Sequence, residues 1–310
     1  MNMLRGIGDA VANARFALVV TALGLYIAGL LLTGERWRVV IAALGTRLST
    51  LRATLINLAG IFIRNATPST GLGGDATRIA LLRVEGLPLA QATAAFAYVR
   101  LVEIPPLAIT VALSIPAIAG VGDRSRTGLT VVAAAIGFAA AAAWVGRRRL
   151  RARLADLEAR TGHLRIDRRA AGWAVFYAVA AQAETIARLI VVAAAFGVPL
   201  TIQQSAAITW MTLVGGVVPT VGGLGAIDGS IVAGLMLFGI PAETAIAVTL
   251  VERAISYVFS TAAGAVALAL VGGRTLLRAA WARRPPVSVP ERSRPRPLLD
   301  REPSEIRQKT

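Results

Sequence analysis

The sequence predicts an all-α integral membrane protein, a polytopic helical bundle of two inverted repeats, each containing a Pro/Gly-broken re-entrant hairpin. Three observations lead there. Uncharged runs at 16–34, 104–122, 127–146 and 254–273 reach spanning length, because a hydrocarbon core of about 30 Å takes about 20 helical residues. The stretch 189–227 carries no charge anywhere; at about 1.5 Å per residue it is far too long for one crossing, so it must turn back or break. Its breaker is Pro219-Thr-Val-Gly-Gly-Leu-Gly225, and Pro68-Ser-Thr-Gly-Leu-Gly-Gly74 stands 151 residues earlier with Pro first and Gly at the fourth and seventh places. Pro removes a backbone donor and clashes with the preceding turn, and Gly does not resist non-helical dihedrals.

The repeat continues downstream. Arg100 follows Pro68 by 32 residues and Arg253 follows Pro219 by 34, each in an apolar run: Tyr98-Val-Arg-Leu-Val-Glu103 and Val251-Glu-Arg-Ala-Ile-Ser256. The shared order reads as a membrane helix, a broken hairpin and a long helix, twice over.

The residue inventory bounds the chemistry. Apolar residues make up 55% of the 310. There is no Cys and a single His, His163, in a hydrophilic linker, which excludes disulfides, thiol nucleophiles and Cys/His metal sites. No metal or cofactor is expected. The net charge of +16 comes from arginines gathered in linkers and tail, where membrane topology accounts for them, so nucleic acid is not an expected partner.

The chain divides into an N-terminal segment (1–15), a first membrane half (16–146), a basic linker (147–169), a second membrane half (170–273) and a basic tail (274–310). Residues 1–15 are weakly basic, and the apolar run after them lacks a cleavage site followed by a soluble domain, so 16–33 reads as a retained first span. Trp37, beside Arg36 and Arg38, suits a membrane interface. Residues 39–52 are amphipathic, with Arg47 and Arg52, and are expected in the headgroup layer. Residues 51–63 then enter the membrane but are too short to cross, meeting Arg64, Asn65 and the first breaker. The return arm, 75–82, is expected to be capped by the Asp75 carboxylate. A long helix, 87–119, carries Arg100 and Glu103 and should kink at Pro105-Pro106. An Ala-rich span covers 127–145.

The linker holds nine arginines against three acidic residues. The second half opens with a span at 170–196 containing Gln182, Glu184 and Arg188. Segments 201–218 and 227–238 flank the second breaker, and 241–271 is the final long helix, with Glu252 and Arg253. Beyond it, ten basic and four acidic residues mix with six prolines, a composition that has no core to bury.

Arginine placement sets the orientation. The linker and tail, hence the C-terminus, should be cytoplasmic, while 197–205 and 239–242 carry no basic residue and should lie outside. The second breaker is then the tip of a hairpin entering from outside. Counting back places 34–52, with four arginines, inside and the first hairpin's entry on the cytoplasmic face. The halves come out inverted and the N-terminus outside.

Unwound hairpin tips meeting near the midplane make a transporter architecture, because non-helical backbone at that depth must face protein or water. The competing structural reading is that the Gly-rich turns only let helices pack closely. Arg100 and Arg253 are the leading contacts for cargo: a buried arginine is costly unless paired, and its fork matches a phosphate bidentately. Equally, Arg100 with Glu103, and Arg253 with Glu252 or Glu103, would form internal salt bridges; both readings hold if the acids orient the arginines. Glu184 and Arg188, four residues apart, read as a buried pair. Asp75 and Asp228 follow the breakers as helix caps, with proton coupling as the alternative. As caps they compete with an anionic guest for the helix N-termini, which moves the expected cargo contacts to the arginines and to Asn65 and Thr70. The breaker residues themselves are Pro68, Gly71, Gly74 and Asp75, with Pro219, Gly222, Gly225 and Asp228.

Three blocks carry a family resemblance: Gly34-Glu-Arg-Trp-Arg-Val-Val-Ile-Ala-Ala-Leu-Gly45, Arg64-Asn-Ala-Thr-Pro-Ser-Thr-Gly-Leu-Gly-Gly-Asp-Ala-Thr-Arg78 and Val217-Val-Pro-Thr-Val-Gly-Gly-Leu-Gly-Ala-Ile-Asp-Gly229. Over about residues 16–272 the chain resembles the flippase-like transmembrane region of bacterial lysylphosphatidylglycerol synthases and related stand-alone membrane proteins. The family's acidic residue after the glycines is matched by Asp75 and Asp228, and its arginine in each later helix by Arg100 and Arg253. The resemblance implies lipid translocation in the bacterial cytoplasmic membrane. The synthases' cytosolic aminoacyltransferase domain has no counterpart here, so aminoacyl transfer is not implied. Members often carry a further N-terminal helix, whose absence agrees with an outside N-terminus.

Three functions compete. The first is a flippase-like protein moving an anionic lipid or lipid-linked sugar through a midplane cavity. The second, a membrane-embedded lipid transferase or hydrolase, needs a positioned acid/base or a metal, and the Asp and Glu residues show no catalytic spacing. No enzyme is therefore expected. The third is a non-transporting subunit or scaffold of a lipid-modifying system. The expected partners are anionic membrane lipids, together with a second copy of the chain or a lipid-modifying enzyme.

Overall fold

The computed structural model describes residues 2–67, 72–122, 148, 167–216, 220 and 223–272, with side chains from residue 6 onward. Pro68, Thr70, Gly71, Pro219 and Gly222 lie outside the described residues, as do the 127–145 span, most of the 147–169 linker and the 274–310 tail. Residues Met1–Gly273 form one compact unit. Helices and turns are the only regular structure among the described residues.

The first half contributes α1 (Asn2–Ala12), α2 (Phe16–Ala43), α3 (Thr50–Ala66), α4 (Leu72–Val84), α5 (Leu89–Val102) and α6 (Ile104–Gly122). The second contributes α7 (Arg168–Ala195), α8 (Ile202–Gly215), α9 (Ala226–Leu237), α10 (Ala242–Arg253) and α11 (Ser260–Val271), the last two joined by a π-helical turn, Ala254–Phe259. Among the described residues four helices are long and apolar enough to cross a membrane: Phe16–Ala43, Leu89–Val121, Arg168–Ala195 and Ala242–Val271. Their outer faces expose Phe16, Val20, Leu31, Phe176, Val258 and Leu270, apolar surface that suits lipid and not water.

Local chemistry explains the element ends. The Ser49 hydroxyl accepts from Arg52 N–H at the start of α3, at 3.2 Å. The Asp167 carboxylate accepts from Ala170 N–H at the start of α7, at 2.7 Å. Thr201 and Gln204 form a reciprocal capping box on α8; each satisfies a backbone donor that the first helical turn leaves free. Glu103 breaks the long helix between α5 and α6, and Pro105-Pro106 sit in the first turn of α6, where a missing N–H costs nothing. The interruption expected near the prolines is present, as a break at Glu103.

Two elements differ from expectation. Helix α2 runs unbroken through Ala43, so residues 39–43 belong to the first span and not to a headgroup-layer helix. Trp37 is correspondingly no interface anchor: it is buried at 4% exposure, because the longer helix keeps it inside the bundle.

Packing follows a crossed pattern. Helices α2 and α7 run antiparallel along most of their length, with Arg15 N–H donating to Ala195 carbonyl at one end, at 2.9 Å, and Gly29 facing the Glu184 carboxyl midway. Helix α3 packs on α4 and on α11, and α8 packs on α9 and on α6. Small residues set the close approaches: a Cβ on Gly264 would stand 2.5 Å from Leu58 carbonyl oxygen, and one on Gly74 would run into Gly60 carbonyl oxygen. Removing a side chain lets helix backbones touch where lipid supplies no hydrophobic drive.

Candidate functional site

Between α2, α3, α4, α5, α6 and α7 lies a cavity of about 480 Å³ lined by five arginines, Arg36, Arg64, Arg78, Arg100 and Arg188, and by two glutamates, Glu103 and Glu184. Most of the guanidiniums are wired to carboxylates. Glu103 accepts from Arg36 Nη2 and Arg100 Nη1, each at 2.9 Å. Arg100 Nη2 reaches both oxygens of Asp75 at 2.9 Å, and Asp75 Oδ1 also accepts from Arg78 Nη1 at 2.7 Å. Arg78 Nε donates to Asn57 Oδ1 at 3.0 Å, and its side chain fills the space that Gly60 leaves empty. Arg100 lies over the Phe96 ring, 5.2 Å from its centroid.

The wiring leaves donors over. Arg64 lines the cavity, is accessible, and makes no ion pair or hydrogen bond among the described residues. Arg36 Nε and Gln182 Nε2 are buried without an acceptor. An unpaired buried donor costs on the order of 1–3 kcal/mol, so these atoms mark where an acceptor belongs. Four arginines (36, 64, 78 and 100) stand against two acids (Asp75 and Glu103), a surplus of positive charge facing one space.

A second cavity of about 160 Å³ lies between α7, α8, α9 and α10, lined by Thr209, Thr212, Glu252 and Arg253, and it shares Thr185 and Arg188 with the first. Arg253 Nε lies 2.6 Å from Asp228 Oδ1, and its guanidinium sits 4.8 Å from the Tyr257 ring centroid. Asp228 Oδ2 accepts from Gly225 N–H at 2.8 Å. Gly225 holds φ at +84°, a left-handed backbone that L side chains resist. Arg188 pairs with Glu184 at 2.9 Å and with Glu252, all three side chains being nearly enclosed.

The expected site residues therefore divide. Arg100 and Glu103 line the large cavity, Arg253 and Glu252 the small one. Asn65 lines neither: its Nδ2 donates to Thr261 Oγ1 at 2.8 Å, and its carbonyl accepts from Tyr257 hydroxyl, so it fastens α3 to α11. The Arg100–Glu103 and Glu184–Arg188 pairs form as expected. Arg253 pairs with Asp228, not with Glu252 or Glu103, because Glu252 points the other way, to Arg188. The Asp228 cap forms; the Asp75 oxygens accept from the guanidiniums of Arg78 and Arg100, and the backbone just before α4 that it would cap lies outside the described residues.

Arg36, Arg64 and Arg78 are cavity residues that sequence reasoning passed over. Arg36 was assigned to an interface by ending the first span ten residues early. Arg78 had a legible signal, since it stands one helical turn after Asp75. Among the described residues no three His, Cys, Asp or Glu side chains converge as metal ligands.

A comparison with curated proteins finds no match. The model of the lysylphosphatidylglycerol synthase TM region matches residues 3–264, and with four membrane-length helices on the page the chain is a multi-pass membrane protein that belongs to that family.

Proposed function

We propose that this protein binds the anionic headgroup of a membrane lipid in the arginine-lined cavity and carries it between leaflets, as a flippase-like protein without covalent chemistry. The observation that carries the reading is the surplus of donors: Arg64 has no partner among the described residues, and Arg36 Nε and Gln182 Nε2 are buried and unsatisfied. A phosphate offers acceptors on several sides and suits a fork of guanidiniums. The cavity acids are held by arginines, which leaves them as positioning groups and not as acid/base catalysts.

Alternation between leaflets calls for two inverted halves with re-entrant hairpins, and four features support that arrangement. The hairpin arms α3, α4, α8 and α9 have 17, 13, 14 and 12 residues, each shorter than the roughly 20 needed to cross. Arg52 and Glu85 join the base of the first hairpin at 2.6 Å, so its arms begin and end on one face. Helices α2 and α7, each 28 residues, are antiparallel. Helix α6 packs on α8, and α11 packs on α3, so that in each half the long helix after the hairpin meets the other half's first hairpin arm. Arginine-bearing connections then belong to the cytoplasmic side of a bacterial inner membrane, with the C-terminus there.

The test is movement of fluorescent anionic and zwitterionic lipids across proteoliposome membranes. Native protein should move the anionic lipid preferentially, and Arg64→Gln should abolish that preference while melting unchanged. No movement of any lipid, with or without ion gradients, refutes transport and directs attention to a non-transporting subunit.

A further inference from the structure

The wall between the two cavities holds a charge set shared by both, Glu184 and Arg188 lining the large cavity and Arg188 and Glu252 the small one. Arg188 contacts two carboxylates, Glu184 Oε1 at 2.9 Å and Glu252 Oε1, and its guanidinium lies 5.0 Å from the Tyr26 ring centroid. Side-chain exposure is 5% for Arg188 and 9% for each glutamate. Gly29 leaves the slot in α2 that receives the Glu184 carboxyl. The other oxygen of Glu252, Oε2, is buried with no partner, and so is the Thr209 hydroxyl; both residues line the small cavity.

Among the described residues, the charged and titratable groups nearest this set come from α2, α3, α9 and α10, and Arg253 of α10 lines the small cavity beside Glu252. From α2 comes Tyr26, whose hydroxyl donates to Ser256 carbonyl. From α3, Arg64 lines the large cavity together with Tyr26 and Arg188. Asp228 of α9 is committed to Arg253 of α10. The hydroxyls of Thr209 and Thr212 come from α8, and Thr212 donates to Thr209 carbonyl at 2.7 Å. Two carboxylates thus share one guanidinium in a nearly enclosed wall, and an excess charge there is expensive.

We propose that Glu184, Arg188 and Glu252 form a proton-binding site, in which one proton, carried on Glu252 Oε2 and facing the small cavity, makes the triad neutral. The proton adds to a carboxylate lone pair and nothing else changes covalently. A metal cation is the wrong guest, because the Arg188 guanidinium already lies against both carboxylates and would repel it. A proton needs only the free oxygen and room beside it. Its use as a driving ion rests on the flippase reading, since Arg188 lines both cavities; its binding does not.

Infrared spectroscopy of the full-length protein in lipid nanodiscs tests this at neutral pH, where exposed carboxyls are ionised. The native protein should give a carboxylic-acid C=O band that shifts in D₂O. Glu252→Gln and Glu184→Gln should each remove it, because either leaves one carboxylate matched to Arg188, while Asp75→Asn should leave it in place. Absence of the band in native protein, which needs no variant to fold, overturns the proposal, as does a band that survives either glutamine substitution. Lipid movement is scored separately: a titrating band without movement retires the flippase reading and keeps the proton site.

Discussion

The surroundings of Arg100 and Arg253 are built to one plan and charged to opposite effect. Asp75 and Arg100 are 25 residues apart and paired; Asp228 and Arg253 have the same separation and are paired too. In both, an aspartate of the second hairpin arm holds an arginine just before the long helix is interrupted, by Glu103 in one and by a π-helical turn in the other. Around the first pair, four arginines face two carboxylates. Around the second, Arg188 and Arg253 face Asp228, Glu184 and Glu252. Similar Asp–Arg pairs thus stand in an arginine-rich setting in one half and a carboxylate-rich setting in the other, and the difference lies in the residues around each pair.

The largest break in that comparison comes from Arg188, which among the described residues is the one cation lining both cavities. Arg188→Ala strands two buried carboxylates, and breaking a buried ion pair costs about 3–5 kcal/mol. The variant should lose much of its stability to chemical unfolding in detergent micelles. Adding Glu184→Gln to it should restore part of the loss, by removing the ionised carboxylate that Arg188 matches. Full stability in the single variant would mean that the triad is not held as a unit.

Arg64→Gln is next, and it separates binding from folding. Its guanidinium has no partner to lose among the described residues, so unfolding should be unchanged. The affinity for anionic lipid should fall about tenfold, the equivalent of about 1.4 kcal/mol for one charge-assisted contact. Arg100→Gln should reduce affinity as well and also lower stability, since it releases Asp75 and Glu103. If the two variants behave alike, the unpaired state of Arg64 carries no functional weight.

Much of this was readable in the sequence because membranes constrain it strongly. The membrane-length helices, the short helices on either side of each Pro/Gly stretch and the two motif arginines follow from apolar run length and Pro/Gly placement, which lipid enforces residue by residue. Pairing partners do not. That Arg253 takes Asp228 and leaves Glu252 to Arg188 depends on helix rotation and on slots such as Gly29 and Gly60, which no local pattern encodes. Arg36 was misplaced for a related reason: one buried arginine inside a span looks like the end of the span until its partner, Glu103, is found 67 residues away.

The smallest effects, at the two aspartates, test whether the common plan is matched in energy as well as in geometry. Asp75 joins Arg100 to Arg78, whose side chain is only 6% exposed, and it is itself 15% exposed. Asp228 is 30% exposed, with one guanidinium and one backbone N–H. Asparagine can still accept from Gly225 N–H, so Asp228→Asn should lose only a partly solvated pair, about 0.5 to 1 kcal/mol. Asp75→Asn leaves Arg78 without its carboxylate in a buried setting and should cost about 2 kcal/mol. It also raises the positive surplus of the large cavity, so anionic lipid should bind at least as tightly as to native protein. Calorimetric unfolding of both variants, with lipid titration of each, reads the order directly. Equal costs, or weaker lipid binding in Asp75→Asn, would show that the first aspartate orders the arginines for cargo instead of competing for them.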